Sequence, residues 1–515
     1  MFQYIKNKPI LILFLICVLA FLLRFPGVFW GVHLNGHPKF VEYISGEDTY
    51  VEQANAFMHR LPDQESYYTK GLAFQIAAAS SILKPFGVVE TPQLTVVGRF
   101  LSVIYGTLSV ALLFFLVKEV TSNIPIALLS ALFFSIVEVH MVYSCVAATD
   151  AGLLFWIYAL IYSCFLNLKT KEKKYFIFAL IAAGFSLAFK LAVISLIPLV
   201  YIMVKDHWGW KKTIMAFVAL FVIFYLANGG TYSFTNFIMT LNNVSGDNLF
   251  ARDYNKFQNL LCYMIIIFVA LKIPTLFLVL RGAFQKLGQN IKCDGVFVQD
   301  VVWVWILPLV FQFISVLFLS YADGRHILLF FPLLSVIAAI GFISLKDWPM
   351  FSTMRKRAFL LGGIIAYYLI FLGSIDYNFI FESRDSAASW IMNNVPKGET
   401  IALPRYSVMP SLEKDYKIVP IPKAKYIVLH KEYYTRFIRS IGNPFEQYPK
   451  WENVFHSDRD GFEFCQGVFK GKLPYKLVKK FHGSINSPEV LILNKIFGPI
   501  TGYDNVLIYE KIVNP

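Results

Sequence analysis

Charge is scarce in this chain of 515 residues. Only 16% are Asp, Glu, Lys or Arg, where a soluble globular protein carries nearer a quarter. The shortage excludes an ordinary soluble architecture, because long apolar blocks take the place of charge. Residues 9–23, 107–117, 124–137, 151–168, 214–227 and 260–271 hold no charged residue at all. Cysteine is sparse too: the six lie at positions 17, 145, 164, 262, 293 and 465 with no CxxC spacing. Several fall inside apolar blocks, so they read as small apolar fillers, not as a disulfide framework or a zinc site. No Walker A loop, HExxH, GxSxG or dinucleotide fingerprint is present. Phosphoryl-transfer ATPases and membrane zinc proteases thereby lose their main support. No internal repeat and no low-complexity tract occurs.

What is present is hydrophobic length. Hydrophobic residues make up 57%, and several blocks reach the ~20 residues needed to cross ~30 Å of hydrocarbon. The expected spans are 9–30, 96–117, 123–143, 151–168, 175–189, 191–204, 212–228, 258–281, 299–320, 326–345 and 357–374. The first block follows Lys6 and Lys8 but has no small-residue cleavage site behind it, so it reads as an uncleaved span. Orientation follows from a count. With the N-terminus cytoplasmic, inside segments and their borders hold seventeen Lys and Arg, and the short outside loops hold four (Lys190, Arg252, Lys256, Arg325). That asymmetry obeys the positive-inside rule, provided that 71–90 lies along the interface instead of spanning. It also explains the net charge of +14 without nucleic acid, which is set aside as a partner.

Two consequences follow. Residues 31–95 become one large outer loop with interfacial helices, and the odd number of spans puts the tail outside. The tail is a different kind of chain. After Tyr377 the long apolar runs stop and short alternating ones begin. A helix is expected at Arg384–Asn394, stopped by Val395-Pro396-Lys397-Gly398, with strands at Thr400–Leu403, Tyr426–Leu429, Leu477–Phe481 and Val506–Glu510. The fold class is therefore a polytopic α-helical membrane protein of about eleven spans. Residues 1–379 form the membrane domain and 380–515 a small extracytoplasmic α/β domain.

Charge at membrane depth is costly, so polar residues that hydrophobicity would not choose mark candidate sites. Five places stand out, all on the outer side. Glu47-Asp48 open a helical pattern and would supply a general base or hold a divalent cation, although acids also commonly cap helix starts. Lys70 follows Tyr67-Tyr68-Thr69, where it would hold a lipid phosphate or simply anchor the interface. His140, Tyr143, Ser144, Thr149 and Asp150 crowd one outer turn, with Glu138 just before them. Capping by Asp150 leaves Glu138 and His140 unexplained. Lys190 stands alone between two apolar runs, where snorkelling is the simpler explanation. Asp323-Gly324-Arg325-His326 opens the tenth span, where Arg325 would pair with phosphate or with one of these acids.

With these residues in view, the chain resembles the GT-C superfamily of polyprenyl-phosphate-sugar glycosyltransferases, in its protein O-mannosyltransferase and aminoarabinose-transferase branch. The most specific stretch runs from Arg99, Ser102 and Gly106-Thr107-Leu108-Ser109-Val110 to His140, Tyr143-Ser144 and Ala148-Thr149-Asp150. It is similar to that branch's RxxSxxxGxLTV and HxxYSRxAxTD patterns. Phe189-Lys190, Gly324-Arg325-His326 with Pro332 beyond, and Arg384-Asp385 through Trp390 are similar to further landmarks. The resemblance covers most of residues 10–400. Departures exist. The branch usually carries His-Pro-Asp-Glu in the first outer loop, whereas His37-Pro38 is followed here by Lys39-Phe40, and the acids come nine residues later in reversed order as Glu47-Asp48. Lys70 matches a family lysine, without the two prolines that follow it there.

The resemblance implies transfer of a sugar from a polyprenyl-phosphate donor to an acceptor hydroxyl on the extracytoplasmic face of the plasma or inner membrane. It implies one displacement with inversion. Asp48 or Glu47 would act as base, and Lys70, Lys190 and Arg325 would offset the departing phosphate. His140, Tyr143, Asp150 and His326 would complete the substrate site. No cofactor is required by this chemistry, although Glu47, Asp48 and Asp150 leave room for a divalent cation. Expected partners are the lipid-linked sugar, an acceptor glycan, lipid or protein, and membrane lipids. A lipid or lipid-linked sugar transporter is the first rival, against which the gathering of site residues on one face counts. A membrane-anchored envelope scaffold is the second; it explains the tail but neither Lys190 nor Glu138.

Overall fold

The computed structural model describes residues 8–30, 47–61, 69–88, 91–191, 196–231, 235–236, 256–284, 298–317, 324–380, 383–404, 407, 409, 412–430, 434, 459–482, 487–489, 491–492 and 504–512. Its contacts divide it into two compact units. One holds Met1–Val28 and Gly46–Leu372, the other Phe29–Ser45 and Gly373–Pro515.

The first unit is helical. Its elements are α1 (Pro9–Leu22), α2 (Glu47–His59), α3 (Gly71–Leu83), α4 (Thr91–Thr121), α5 (Ile124–Ser135) and α6 (Glu138–Tyr143). There follow α7 (Thr149–Thr170), α8 (Lys173–Phe189), α9 (Leu196–Lys205), α10 (Trp210–Ala227), α11 (Lys256–Ala283), α12 (Leu307–Leu317), α13 (Phe331–Ser344) and α14 (Met354–Ile380), which runs across the unit boundary. Among the described residues, every expected span contains helix. Eight helical runs among the described residues are long and apolar enough to cross a membrane, counting the helical turns that adjoin α1 (Pro9–Phe29), α12 (Gln299–Leu317) and α13 (Gly324–Asp347), which makes the chain a multi-pass membrane protein. The other three expected spans are shorter. The third is split into α5 and α6 at Ile136-Val137, while α8 and α9 run for 17 and 10 residues. Thus the number eleven rests on the sequence reading alone. Helix α3, at 13 residues, rises about 20 Å and is too short to cross.

Local chemistry sets several boundaries. Asn123 caps α5 by accepting the Ile126 N–H at 3.1 Å, with Pro125 in the first turn, a favoured arrangement at helix starts. Helix α11 is broken at Lys272, whose φ of 55° and ψ of 158° are not helical, two residues before Pro274. Helices α11 and α13 run parallel and in register. The Tyr263 hydroxyl meets His326 just before α13, and Arg281 donates to the Ser344 carbonyl at its end. Where they touch, a Cβ on Gly282 would lie 2.0 Å from the Ile337 carbonyl oxygen, and one on Gly341 2.0 Å from that of Leu278. Small residues that let backbones meet are the usual contact of membrane helices.

The second unit holds α15 (Ser383–Asn394), β1 (Thr400–Ala402), β2 (Lys417–Ile418), β3 (Tyr426–His430), α16 (Arg459–Phe469), β4 (Tyr475–His482) and β5 (Asp504–Lys511). The strands form one sheet in the order β2-β1-β3-β5-β4, with β1 parallel to β2 and β3, and β5 antiparallel to β3 and β4. Alternation along the strands builds two cores. Ile401, Val428 and Ile508 meet Ala387, Ala388 and Ile391 of α15, while Ile427, Leu429 and Leu507 meet Phe464 and Cys465 of α16. A sheet covered on both faces explains why all five residues of β3 are buried.

Candidate active site

The first turn of α2 carries the two acids. Glu47 is fully buried and grips Arg99 of α4 with both oxygens, at 2.7 Å to Nε and 2.8 Å to the terminal nitrogen. Its Oε1 also accepts the Ala147 N–H at 2.7 Å. One turn on, the Tyr50 hydroxyl meets Thr149 Oγ1 at 3.4 Å. These bonds tie the start of α2 to the turn between α6 and α7. The Asp48 side chain lies outside the described ones, although its backbone belongs to the same first turn. Tyr67, Tyr68 and Asp323 also lie outside the described residues.

Asp150 sits in the first turn of α7, 6% exposed, and Lys190 at the end of α8 reaches to 3.8 Å from it. The Lys190 side chain stays half exposed. Lys70 is delivered to the same end of α8. The Thr69 hydroxyl donates to the Phe189 carbonyl at 2.8 Å, and the Lys70 N–H donates to Asn228 Oδ1 at 2.7 Å. Next to them, a Cβ on Gly71 would lie 2.5 Å from the Ala188 carbonyl oxygen, so only glycine lets α3 start so close. Phe189 is held in turn by Tyr105, whose ring meets it edge-on at 5.5 Å and whose hydroxyl donates to Gln75. Lys70 itself is buried and lies outside the spans, and burial lowers its pKa to about 8. Lys70, Asp150 and Lys190 thus gather where α3, α7 and α8 meet.

The tenth-span landmark comes to the same turn from another side. A Cβ on Gly324 would lie 3.1 Å from Val139 and 3.6 Å from the Tyr143 ring. Arg325 is half-buried, and His326 meets the Tyr263 hydroxyl at 3.1 Å through Nδ1. His140 is placed differently. It is fully buried, stacks on Phe134 at 4.0 Å, and its Nδ1 meets the Arg24 guanidinium at 2.8 Å. Arg24 also donates to the carbonyls of Ala20 and Ser135. This geometry packs His140 into the join of α1, α5 and α6 rather than opening it to a ligand. Glu138, read from the sequence as an outer group, is ion-paired with Lys272 within α11.

Arg99, Lys272, Asn228 and Arg24 escaped the sequence reading as site-building residues. Lys272 was detectable as a lysine in an apolar run two residues before Pro274 and Arg99 as the opening of the family-like stretch, but nothing local named their partners. No group of three or more His, Cys, Asp and Glu with metal-site geometry occurs among the described residues. Glu47 is a poor ligand as placed, since a cation on it would face the Arg99 guanidinium.

Residues 91–228 match the family model described as dolichyl-phosphate-mannose-protein mannosyltransferase. That stretch holds Arg99, the turn from His140 to Asp150, Lys190 and Asn228, so it spans the most specific of the motifs through which the sequence resembles the GT-C superfamily, while Glu47, Lys70 and Arg325 lie outside it. Among solved structures, the chain is similar to the archaeal oligosaccharyltransferase AglB from Archaeoglobus fulgidus, in complex with an inhibitory peptide and a dolichol-phosphate. The TM-score is 0.48 at 12% identity, over 99% of this chain and 89% of that one. It is similar to ArnT from Cupriavidus metallidurans bound to undecaprenyl phosphate, with TM-score 0.49 at 12% identity over 85% and 95%. It is also similar to the S. cerevisiae protein O-mannosyltransferase Pmt1-Pmt2 complex bound to the sugar donor, with TM-score 0.33 at 19% identity over 47% and 36%. These are distant likenesses. No curated protein matches the sequence.

Proposed function

We propose that the chain transfers a sugar from a polyprenyl-phosphate donor to an acceptor hydroxyl on the extracytoplasmic face, in one displacement with inversion. The observation that carries this reading is the convergence of Lys70, Asp150 and Lys190 where three helix ends meet. The family match over 91–228 supports the donor class. The Lys190 ammonium is half exposed and only 3.8 Å from Asp150, so it is reachable from solvent and by a phosphate.

Asp48 takes the role of base. Glu47 is withdrawn from it, because both its oxygens are held by Arg99 and its carboxylate is sealed from solvent. Asp48 removes the proton of the acceptor hydroxyl as that oxygen attacks the anomeric carbon from the face opposite the phosphate. The bond from anomeric carbon to phosphate oxygen breaks with its electron pair staying on the phosphate. Lys70, Lys190 and Arg325 offset that charge, where fixed cations act strongly once water is excluded. Tyr143 and His326 shape the side of the site that holds Arg325. The positive-inside count supports the orientation, with the N-terminus cytoplasmic and residues 380–515 outside.

The test is Asp48→Asn in membranes supplied with polyprenyl-phosphate sugars and mixed glycan, lipid and protein acceptors. A positioned base contributes ~10²–10⁴-fold, and a loss of that size is expected in the transfer rate. Full activity in Asp48→Asn removes the assignment. A transporter draws some support from the buried charged pair between α6 and α11. Flux of lipid-linked sugar into proteoliposomes without a transfer product would decide for it.

A further inference from the structure

Lys272 plays no part in the chemistry proposed above, yet it sits in the middle of a span. It lies nine residues from Tyr263 and nine from Arg281, whose side chains bond to His326 just before α13 and to Ser344 at its end. Lys272 is 1% exposed and Glu138 9%, and their side chains form an ion pair. The ammonium also lies 5.5 Å from the centre of the Phe371 ring.

The backbone is arranged around this pair. The left-handed φ at Lys272 and the missing N–H of Pro274 break the ladder of α11, which leaves carbonyl groups unserved in a setting without water. Tyr368 of α14 answers: its hydroxyl donates to the Leu271 carbonyl and meets Thr275 Oγ1 at 3.1 Å. A break with its own hydrogen-bond partner and a charge at its centre is a built feature. On the other side, Glu138 is the first residue of α6, the helix that ends in Tyr143 and leads into Asp150. Gly324, next to Arg325, lies against Val139 and Tyr143 of the same helix. Helix α11 thus holds this region twice, by Lys272 to Glu138 and by Tyr263 to His326.

We propose that Lys272 and Glu138 are positioning residues: their ion pair clamps α6 to the break in α11, and so fixes Tyr143, Arg325 and Asp150 for the polyprenyl phosphate. This inference rests on the proposed transfer function. Neither residue touches the substrate. A buried pair is the device suited to this, since losing either partner leaves an uncompensated charge, while an exchanged pair keeps the attraction.

The experiment uses the full-length protein in nanodiscs, with undecaprenyl phosphate as the binding probe and its sugar-loaded forms as donors. Glu138→Gln and Lys272→Met are each expected to weaken undecaprenyl phosphate binding by roughly tenfold or more, about 1.4 kcal/mol. The KM for donor rises in parallel while kcat changes much less, a split that mere loss of folded protein does not give. The doubly exchanged Glu138→Lys with Lys272→Glu is expected to recover most of the affinity. Folded single variants that bind as the wild type does overturn the clamp. So does a folded exchanged protein that binds no better than the single variants. If the wild type binds undecaprenyl phosphate but transfers no sugar from any donor, the proposed function fails while the clamp still stands or falls on binding alone.

Discussion

Glu47 and Asp150 are both carboxylates in the first turn of a helix, both beside a cation, and they differ in what surrounds them. Glu47 and Arg99 are fully buried, joined by two short parallel bonds and a backbone N–H. Asp150 faces a lysine 3.8 Å away whose side chain is half exposed. A pair of the first kind cannot exchange its partner for a substrate without stranding a charge. A pair of the second kind can, because water already competes for it. The sealed pair therefore holds α2 in place, whereas the open one fits the proposed substrate site.

The largest expected effect breaks the sealed pair. Glu47→Gln or Arg99→Met should cost about 3–5 kcal/mol of stability, read as a lower unfolding midpoint in detergent. Arg99→Lys should recover little, because an ammonium cannot reproduce the two-pronged contact. If Glu47→Gln keeps the wild-type midpoint but abolishes transfer, the contrast is reversed and Glu47 becomes the base.

The open pair should respond the other way round. Asp150→Asn and Lys190→Met are expected to shift stability by no more than about 1 kcal/mol. Lys190→Met should nevertheless slow transfer by about 10²–10³-fold, the usual effect of losing a group that meets developing negative charge. A large stability loss with proportionate activity loss would place Lys190 among the structural residues.

Much of this contrast was hidden in the sequence, and for a physical reason. The apolar blocks, the break in composition near Tyr377 and the strands at Tyr426 and Val506 were legible because burial imposes a local period. Pairing across the fold imposes none. Arg99 lies 52 residues from Glu47, and Lys272 lies 134 from Glu138. Adjacent letters Glu47 and Asp48 looked equivalent until Arg99 separated them. His140 read as a substrate-site residue because nothing local announced Arg24 as its partner. Strand β2 is two exposed residues, too short to carry alternation, and α16 contains Gly461 and Gly467, which weaken any helical signal.

A third point on the same scale is Lys70, buried like Glu47 but beside the open pair. Its ammonium loses its proton near pH 8. Below that pH it is charged and can meet phosphate; above it, the charge disappears. The donor kcat/KM should therefore fall about tenfold per pH unit above roughly 8, and Lys70→Arg should remove that limb because guanidinium stays protonated. A profile flat to pH 10 in the wild type would detach Lys70 from the phosphate.

The soluble unit supplies the wet end of the scale, and the smallest effect. Glu510 on β5 accepts the Tyr426 hydroxyl at 2.8 Å and faces Lys476 at 3.4 Å. The Tyr426 bond, followed by Lys476 and Lys425, holds its pKa below the usual carboxylate value. A carboxylate made more acidic by folding adds stability that is complete above its unfolded pKa of ~4.3. That stability is lost as pH falls through the lower folded value, because the unfolded chain then binds the extra proton. Water reaches this group, so the contribution should be about 1 kcal/mol or less. Glu510→Gln should accordingly lower the unfolding midpoint slightly at pH 7 and flatten its decline below pH 4.5, with transfer unchanged. A loss as large as that of Glu47→Gln would mean that exposure does not set the strength of these pairs, and the contrast between Glu47 and Asp150 would lose its physical basis.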